Sequence, residues 1–170
     1  MELTKDILLK GTDWAKAVEA YSGIFKTRTR YELFMLALSI GIMYDQRISD
    51  PEEHDDEPVN NVPRNVLQNN DNGKLDYMFQ AAILSTATED LTEDERLALA
   101  FGEKEEFDKR DFLLEFANFG ATKLVEQIGA TELETMDNLK SFAVATVEGE
   151  NLEIDGLSDD ILLLDDEDIF

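Results

Sequence analysis

The sequence predicts a mainly α-helical, compact domain of about five to six helices around a buried central helix. Residues 31–44 are almost entirely apolar, so a helix there must be surrounded by other elements. Residues 105–128 carry aromatic side chains at helical spacing. Helix start and stop signals divide much of the remaining chain, as in the capping box that Thr92 and Glu95 form.

The first 26 residues predict two helices separated by Gly11. Residues 4–10 favour a short helix, and Thr12 is the predicted N-cap of the next helix, which Gly23 ends. The apolar residues of this second helix share one face: Trp14, Ala17, Val18 and Tyr21. Trp14 is therefore predicted to be a core or interface anchor.

A basic cluster precedes the central helix and consists of Lys26, Arg28 and Arg30. Positive charge is mildly unfavourable at a helix N-terminus. The cluster is either a contact site for phosphate or an acidic partner, or it forms weak surface ion pairs with the surplus of carboxylates. Thr27 or Thr29 is the predicted N-cap in both cases.

Residues 45–72 predict a long acidic loop or insertion, because they contain all three prolines and many Asp, Glu and Asn residues. Residues 62–67 are the best position for a short strand or extended arm, which Pro63 would confine to a sheet edge. The acidic run 52–57 includes His54. Consecutive acids in one loop rarely converge on one ion, so solvated charge is favoured there and no metal site is predicted.

The chain from residue 75 onward predicts the remaining helices. Residues 75–87 contain an apolar stripe of Leu75, Met78, Phe79, Ala82 and Ile83, and the capping-box helix ends at Gly102. The helix over 105–128 should pack its aromatic stripe on the central helix, with Gly120 permitting close approach and Gly129 as C-cap. Thr131 opens a last helix that reaches about Val147.

Residues 148–170 predict an acidic, flexible tail outside the helical domain of residues 1–147. This segment contains ten acids and no basic residue. It is either a solvated tail without a role or a segment that orders on a partner. In the second case the anchors would lie in a groove with a basic rim and would be Ile161, Leu162, Leu163, Leu164, Ile169 and Phe170.

The net charge of −24 is the most unusual property of the composition. Such a charge repels nucleic acid and anionic membranes, which argues against direct DNA binding and membrane association. Three explanations stay open: adaptation to a high-salt cytoplasm, mimicry of DNA phosphates, and ordinary solubilising charge.

The sequence contains no recognisable catalytic arrangement, so the protein is predicted not to be an enzyme. There is one His and no Cys, which leaves His54 as the sole centre for a nucleophilic triad, and no nucleophile motif accompanies it. Phosphate-binding glycine loops and zinc-ligand spacing are also missing, so no cofactor or metal is predicted. A signal peptide and a transmembrane segment are not recognisable either, which predicts a cytoplasmic protein.

Three segments together resemble a known family. The first, 27–48, contains Ala37, Gly41 and Arg47; the second is 75–84; the third, 105–128, contains Phe116, Ala117, Asn118 and Gly120. This pattern resembles the small Dnd-system-associated proteins, which are encoded beside DNA phosphorothioation and related defence genes. The resemblance implies an accessory protein of a DNA-modification or defence complex, without catalytic residues.

The sequence thus favours a non-catalytic accessory subunit that binds a protein of a DNA phosphorothioation or related defence system. The alternative is an acidic DNA mimic that inhibits a nucleic-acid-binding protein, and a third hypothesis is direct DNA binding through four basic residues. The predicted partner-binding residues are these basic residues, Lys26, Arg28, Arg30 and Arg47, together with the six tail anchors. Whether a small molecule also binds stays open.

Overall fold

The computed structural model describes residues 5–26, 29–53, 58–86, 91–102 and 107–148. These residues form seven helices and a two-stranded sheet, which confirms the predicted mainly helical, compact fold. The elements are β1 (Ile7–Leu9), α1 (Thr12–Phe25), α2 (Thr29–Met43), β2 (Asn60–Val62), α3 (Arg64–Asn70), α4 (Lys74–Ser85), α5 (Glu93–Phe101), α6 (Lys109–Glu126) and α7 (Glu132–Val147).

Helix α2 is the predicted central helix, and α6 packs antiparallel against it at very short range. A Cβ atom on Gly41 of α2 would overlap the carbonyl group of Phe116, and one on Gly120 of α6 would overlap the carbonyl group of Ala37. The two helices therefore touch through their backbones at two points one helical turn apart. The prediction that Gly120 permits close approach is confirmed, and Gly41 is its counterpart.

The aromatic stripe of α6 connects α2 to α4. Phe116 is fully buried, and its ring lies 5.2 Å from that of Phe112, edge to face. The Phe112 ring in turn lies 5.7 Å from the ring of Phe79 on α4. Such edge-to-face pairs are favourable beyond the apolar area they bury. The predicted apolar stripe of α4 also faces this core, with Leu75, Phe79, Ala82 and Ile83 buried.

The helix predicted over residues 4–10 is wrong, because Ile7–Leu9 form strand β1. This strand pairs antiparallel with β2, so that Ile7 faces Val62 and Leu9 faces Asn60. Ile7 and Leu9 are buried while Leu8 is exposed, which is the alternation of a strand with one covered face. The partner strand lies more than fifty residues away, so this pairing overrides the local helical preference.

Helix α1 starts and ends outside its predicted limits. Gly11 is the N-cap residue, in a left-handed region with φ 103°, and Thr12 is the first helical residue. The helix continues past Gly23 to Phe25, and the Glu132 carboxylate of α7 lies next to Gly23. The predicted N-caps of α2 cannot be compared, since residues 27 and 28 and the Thr29 side chain lie outside the description.

The predicted loop over 45–72 is largely ordered where it is described. The predicted strand at 62–67 is shifted to Asn60–Val62, and α3 follows it. Pro63, which has no N–H to donate, is the N-cap residue of α3, and the Asp6 carboxylate accepts from the Arg64 backbone N–H at 2.8 Å. Residues 54–57, which include His54, lie outside the description.

The later helices follow their sequence signals. The Thr92–Glu95 capping box is present at the start of α5, and Gly102 is its C-cap residue. The Thr131 hydroxyl accepts from the Glu134 backbone N–H at the start of α7. Helix α6 ends earlier than predicted, with Gln127 rather than Gly129 as C-cap residue. The predicted tail beyond Glu148 lies outside the described residues. Within them, none of the helices is long and apolar enough to span a bilayer.

The buried Tyr21 makes the stability of the folded state depend on pH in the alkaline range. Its hydroxyl donates to the Leu124 carbonyl at 3.0 Å, and burial raises its pKa from 10.0 to about 12. The folded state therefore favours the protonated Tyr21 hydroxyl more strongly than the unfolded chain does. This stabilisation is complete below pH 10 and is lost as the pH rises through 12.

We expect the Tyr21→Phe variant to lose about 1 kcal/mol of unfolding free energy at pH 8, because one hydrogen bond is missing. Between pH 10 and 12 its stability should fall less steeply than that of the wild type. Urea unfolding at a series of pH values measures both slopes. Equal alkaline slopes would show that the Tyr21 hydroxyl ionises without opposing the fold.

Candidate interaction surface

The structure separates Arg47 from the predicted basic residues Lys26 and Arg30. Lys26 and Arg30 lie near the start of α2, whereas Arg47 follows its end. The fifteen-residue helix between them spans about 22 Å. Arg28 and the six tail anchors, Ile161 to Leu164, Ile169 and Phe170, lie outside the described residues. The Arg30 Nε donates to the Asn60 side-chain oxygen at 3.1 Å, so this guanidinium also ties α2 to β2.

The Arg47 side chain contacts two aromatic rings and a carboxylate of α6. Its guanidinium lies 5.1 Å above the centre of the Phe112 ring and 5.6 Å above that of Phe116. It also forms an ion pair with Glu115 at 3.4 Å. Cation–π contacts of this kind hold the segment after α2 against the outside of α6.

Asn118 connects three parts of the chain from a buried position on α6. Its side-chain oxygen accepts from the Trp14 indole N–H at 2.8 Å, and its amide group donates to the Ile48 carbonyl at 2.9 Å. The Ile48 backbone N–H donates to the Glu115 carbonyl at 3.0 Å. Trp14 is thus the core anchor that was predicted, with its polar edge satisfied by α6.

The residues that carry the family resemblance meet at one place. Ala37 and Gly41 of α2 contact α6 directly, Arg47 covers its first half, and the α6 residues of the pattern are all buried: Phe116, Ala117, Asn118 and Gly120. Each of these residues has a packing or hydrogen-bonding role in the described structure. The pattern therefore describes how α2, α6 and the following segment fit together.

Helix α7 is attached to the domain by apolar contacts of Leu139 and Phe142 and by several hydrogen bonds. The buried Thr135 hydroxyl accepts from the Gly129 backbone N–H at 3.0 Å, and the Asn138 amide donates to the Gln127 carbonyl at 3.2 Å. The Thr146 side chain is also buried, and its hydroxyl donates to the Phe142 carbonyl within α7. These contacts to the turn after α6 fix the rotation of α7 about its own axis.

The opposite side of α7 carries exposed apolar side chains. Leu133 is 69% exposed, Met136 50%, Val144 49% and Val147 79%. Ala143 and Lys140 are also exposed and lie on the same side of the helix. We call this surface the outer face and define it as Leu133, Met136, Lys140, Ala143, Val144 and Val147. A row of exposed apolar side chains, interrupted by Lys140, is typical of a protein-binding surface.

Acidic residues border the outer face. Glu132, Glu134, Asp137 and Glu148 are all exposed on or next to α7, and Lys140 is the basic residue of this helix. The local charge is therefore −3, from four carboxylates and one ammonium group, and it has the same sign as the charge of the whole chain. The field around the outer face favours a positively charged partner.

A groove of about 530 Å³ lies on the inner flank of α7. The Tyr44 ring stacks on that of Phe142 at 6.4 Å and contacts the Phe119 ring at 5.8 Å. The Lys123 ammonium lies 5.8 Å from the centre of the Phe119 ring and pairs with Glu126 at 3.0 Å. The groove is wide and shallow, and these contacts serve to hold α7 in place.

Within the described ranges, no group of three or more acidic or His side chains is arranged to hold a metal ion. Tyr21 is the group whose pKa is clearly shifted there, and its hydroxyl is buried against a backbone carbonyl rather than in a cleft.

The outer face was not recognised from sequence, although its spacing is visible there. The sequence of α7 also contains Leu139 and Phe142, which lie on the other side of the helix and are partly buried. Separating the two rows would have left 133, 136, 140, 143 and 147, a spacing of three and four residues that is typical of helix-to-helix contact.

No protein-family model matches the chain, and no curated protein or solved structure is detectably similar to it. The resemblance to the Dnd-associated proteins therefore stays a prediction.

Proposed function

We propose that the protein is a non-catalytic accessory subunit that binds a protein of a DNA phosphorothioation or related DNA-modification or defence system. It binds this partner through the outer face of α7. The predicted basic patch has a smaller part in this proposal, because Arg30 and Arg47 contact the domain itself and are separated by the length of α2.

The outer face is the observation that supports an interaction role. Four large apolar side chains lie 49% to 79% exposed on one side of α7, while its inner face contains Thr135, Asn138 and Thr146 together with the partly buried Leu139 and Phe142. The exposed apolar side chains would gain free energy from burial against a partner. The resemblance supplies the proposed cellular setting.

The test is affinity purification of the tagged full chain from its native host, followed by identification of the bound proteins. We expect a DNA-modification, restriction or ATPase component to bind the wild type and to be lost from the Leu133→Gln/Val144→Gln variant. The matched control is Tyr77→Gln/Leu84→Gln on α4, whose side chains are similarly exposed, at 69% and 44%. The control should retain the partner.

Two results would contradict the proposal. If none of the bound proteins belongs to a DNA-modification or defence system, the proposed setting is wrong. If the partner binds both variants equally, the outer face is not its binding surface. A bound protein that duplex DNA displaces from the chain would instead favour the DNA-mimic hypothesis.

A further inference from the structure

The outer face has the spacing of a coiled-coil seam. Leu133, Lys140 and Val147 are separated by seven residues, and Met136 and Ala143 lie three residues after the first two of them. Positions a and d of a heptad repeat have this spacing, and they form the stripe along which two helices pack. Helix α7 has sixteen residues and is about 24 Å long. It is therefore long enough to receive a partner helix over about two heptads.

Acidic residues lie on the solvent side of this seam. Asp137 occupies a position that flanks an a/d seam, Glu134 and Glu148 lie farther out, and all three are exposed. On the opposite side the flanking residues Leu139 and Thr146 are partly and fully buried, and the Glu132 carboxylate lies next to Gly23 of α1. In helix pairs the flanking positions determine partner choice through opposite charges. A partner helix with Lys or Arg at its flanking positions would satisfy these carboxylates, whereas an acidic partner would be repelled.

The same charges oppose two other occupants of the outer face. A second copy of the chain would bring another net charge of −24 against this one. The chain's own residues 149–170 contain nine acids and no basic residue, so they would also meet carboxylates of like charge. Both arrangements place charges of equal sign side by side, which is destabilising.

Lys140 occupies the middle of the seam. Covering an ammonium group without a partner is costly, so a matching helix must provide a carboxylate or a hydrogen-bond acceptor at this point. A single Lys at an a position is known to fix the register of a helix pair at some loss of stability. Lys140 would thus select one alignment of the partner.

We propose that the outer face binds one amphipathic helix of the partner protein, with a heptad apolar seam, basic flanking residues and a carboxylate opposite Lys140. This inference rests on the proposed function, because it specifies the partner of the same surface. It does not depend on the cellular setting.

The experiment uses the absence of cysteine from the chain. The full-length Ser141→Cys variant is labelled with an environment-sensitive dye at this one thiol, which is exposed next to Lys140 but outside the a and d positions. The probes are synthetic helical peptides about three heptads long, with Leu at the seam. One peptide has Lys at the flanking positions and the other has Glu, and each is made with either Glu or Lys at its central a position.

We expect the dye to report water in the free protein and an apolar environment with the Lys-flanked, Glu-centred peptide. The Glu-flanked peptides should bind at least about tenfold more weakly, and salt should reduce this difference. In the Lys140→Glu variant the preference should invert, so that the Lys-centred peptide binds more tightly. The matched control Lys74→Glu, at the start of α4, should keep the original preference.

Each other outcome would overturn the proposal. An apolar dye signal in the free protein that does not change with dilution would identify the chain's own C-terminal segment as the occupant. A signal that is lost on dilution would identify a second copy. Equal binding of Lys-flanked and Glu-flanked peptides, or no binding of either, would exclude a basic helix. If the purified partner is lost from the Leu133→Gln/Val144→Gln variant while no peptide binds, the surface is correct and the partner's chemistry is wrong.

Discussion

The Gly120→Ala variant is expected to be less stable than the wild type by about 3 kcal/mol of unfolding free energy. The new Cβ atom would overlap the carbonyl group of Ala37 and lie 2.8 Å from the Ala37 Cα atom. Since these are backbone atoms within α2, α2 and α6 must move apart and lose contact along their length. Overpacking of this kind costs about 1–3 kcal/mol and occasionally more, whereas alanine returns at most about 1 kcal/mol of helix propensity.

Gly23→Ala is the matched control for this substitution. Gly23 also lies within a helix, but the nearest atoms to its new Cβ would belong to the Glu132 carboxylate, at the end of a flexible and exposed side chain. That side chain can rotate away, so the variant should stay within about 1 kcal/mol of the wild type. Urea unfolding followed by far-ultraviolet circular dichroism measures the free energy of both variants.

A second comparison tests whether Gly41 and Gly120 act at the same contact. The Gly41→Ala variant should be destabilised to a similar extent, because its Cβ atom would lie 3.0 Å from the Phe116 Cα atom and overlap the carbonyl group. Once the helices have separated for one methyl group, the second costs less, so the double variant should lose less than the two single losses combined. A Gly120→Ala variant as stable as the wild type would show that α2 and α6 do not touch there.

Most helices could be predicted because their signals are local. The hydroxyl of Thr92 and the carboxylate of Glu95 are three residues apart, and the hydrogen bonds between them need no other part of the chain. Residues 31–44 were recognised because a helix that is apolar on every side has few alternatives to burial. Gly120 also predicted close helix packing, because a glycine inside an apolar helix costs helix propensity unless it lets another backbone approach.

The sheet could not be predicted in this way. Ile7 and Leu9 face β2 residues that are more than fifty positions away, and a three-residue apolar run has no periodicity that distinguishes a strand from a helix. The Asp6 carboxylate, which accepts from the Arg64 N–H, depends on this pairing. Strand β1 and the hydrogen bond at the start of α3 therefore depend on the pairing of β1 with residues far away in the sequence.

The sequence shows where the charges lie but not which side chains are exposed. Arg47 looked available, but the rings of Phe112 and Phe116 hold its guanidinium against the domain. On α7 both sides carry apolar residues, so the pattern alone does not tell which side is buried. In the folded protein, the hydrogen bond from the Gly129 N–H to the Thr135 hydroxyl shows that the Thr135 side of α7 is the buried one.

The Asn118→Leu variant should lose about 3 kcal/mol of unfolding free energy, although the heavy atoms of leucine have the same branching as those of asparagine. It leaves the Trp14 indole N–H and the Ile48 carbonyl without their partner inside the protein. Each buried polar group without a hydrogen bond costs about 1–3 kcal/mol. An Asn69→Leu variant on the exposed side of α3 is the control and should change stability by less than about 0.5 kcal/mol.

A double-mutant cycle separates the Trp14 contact from general loss of packing. Trp14→Phe removes the donor, and in that background Asn118→Leu should cost about 1–2 kcal/mol less than it does in the wild type. Hydrogen exchange provides a second measurement, because the Ile48 N–H donates to the Glu115 carbonyl beside Asn118. Its protection should fall in Asn118→Leu and persist in Asn69→Leu. Additive losses in the cycle, with unchanged protection at Ile48, would mean that Asn118 does not connect α1, α6 and the segment after α2.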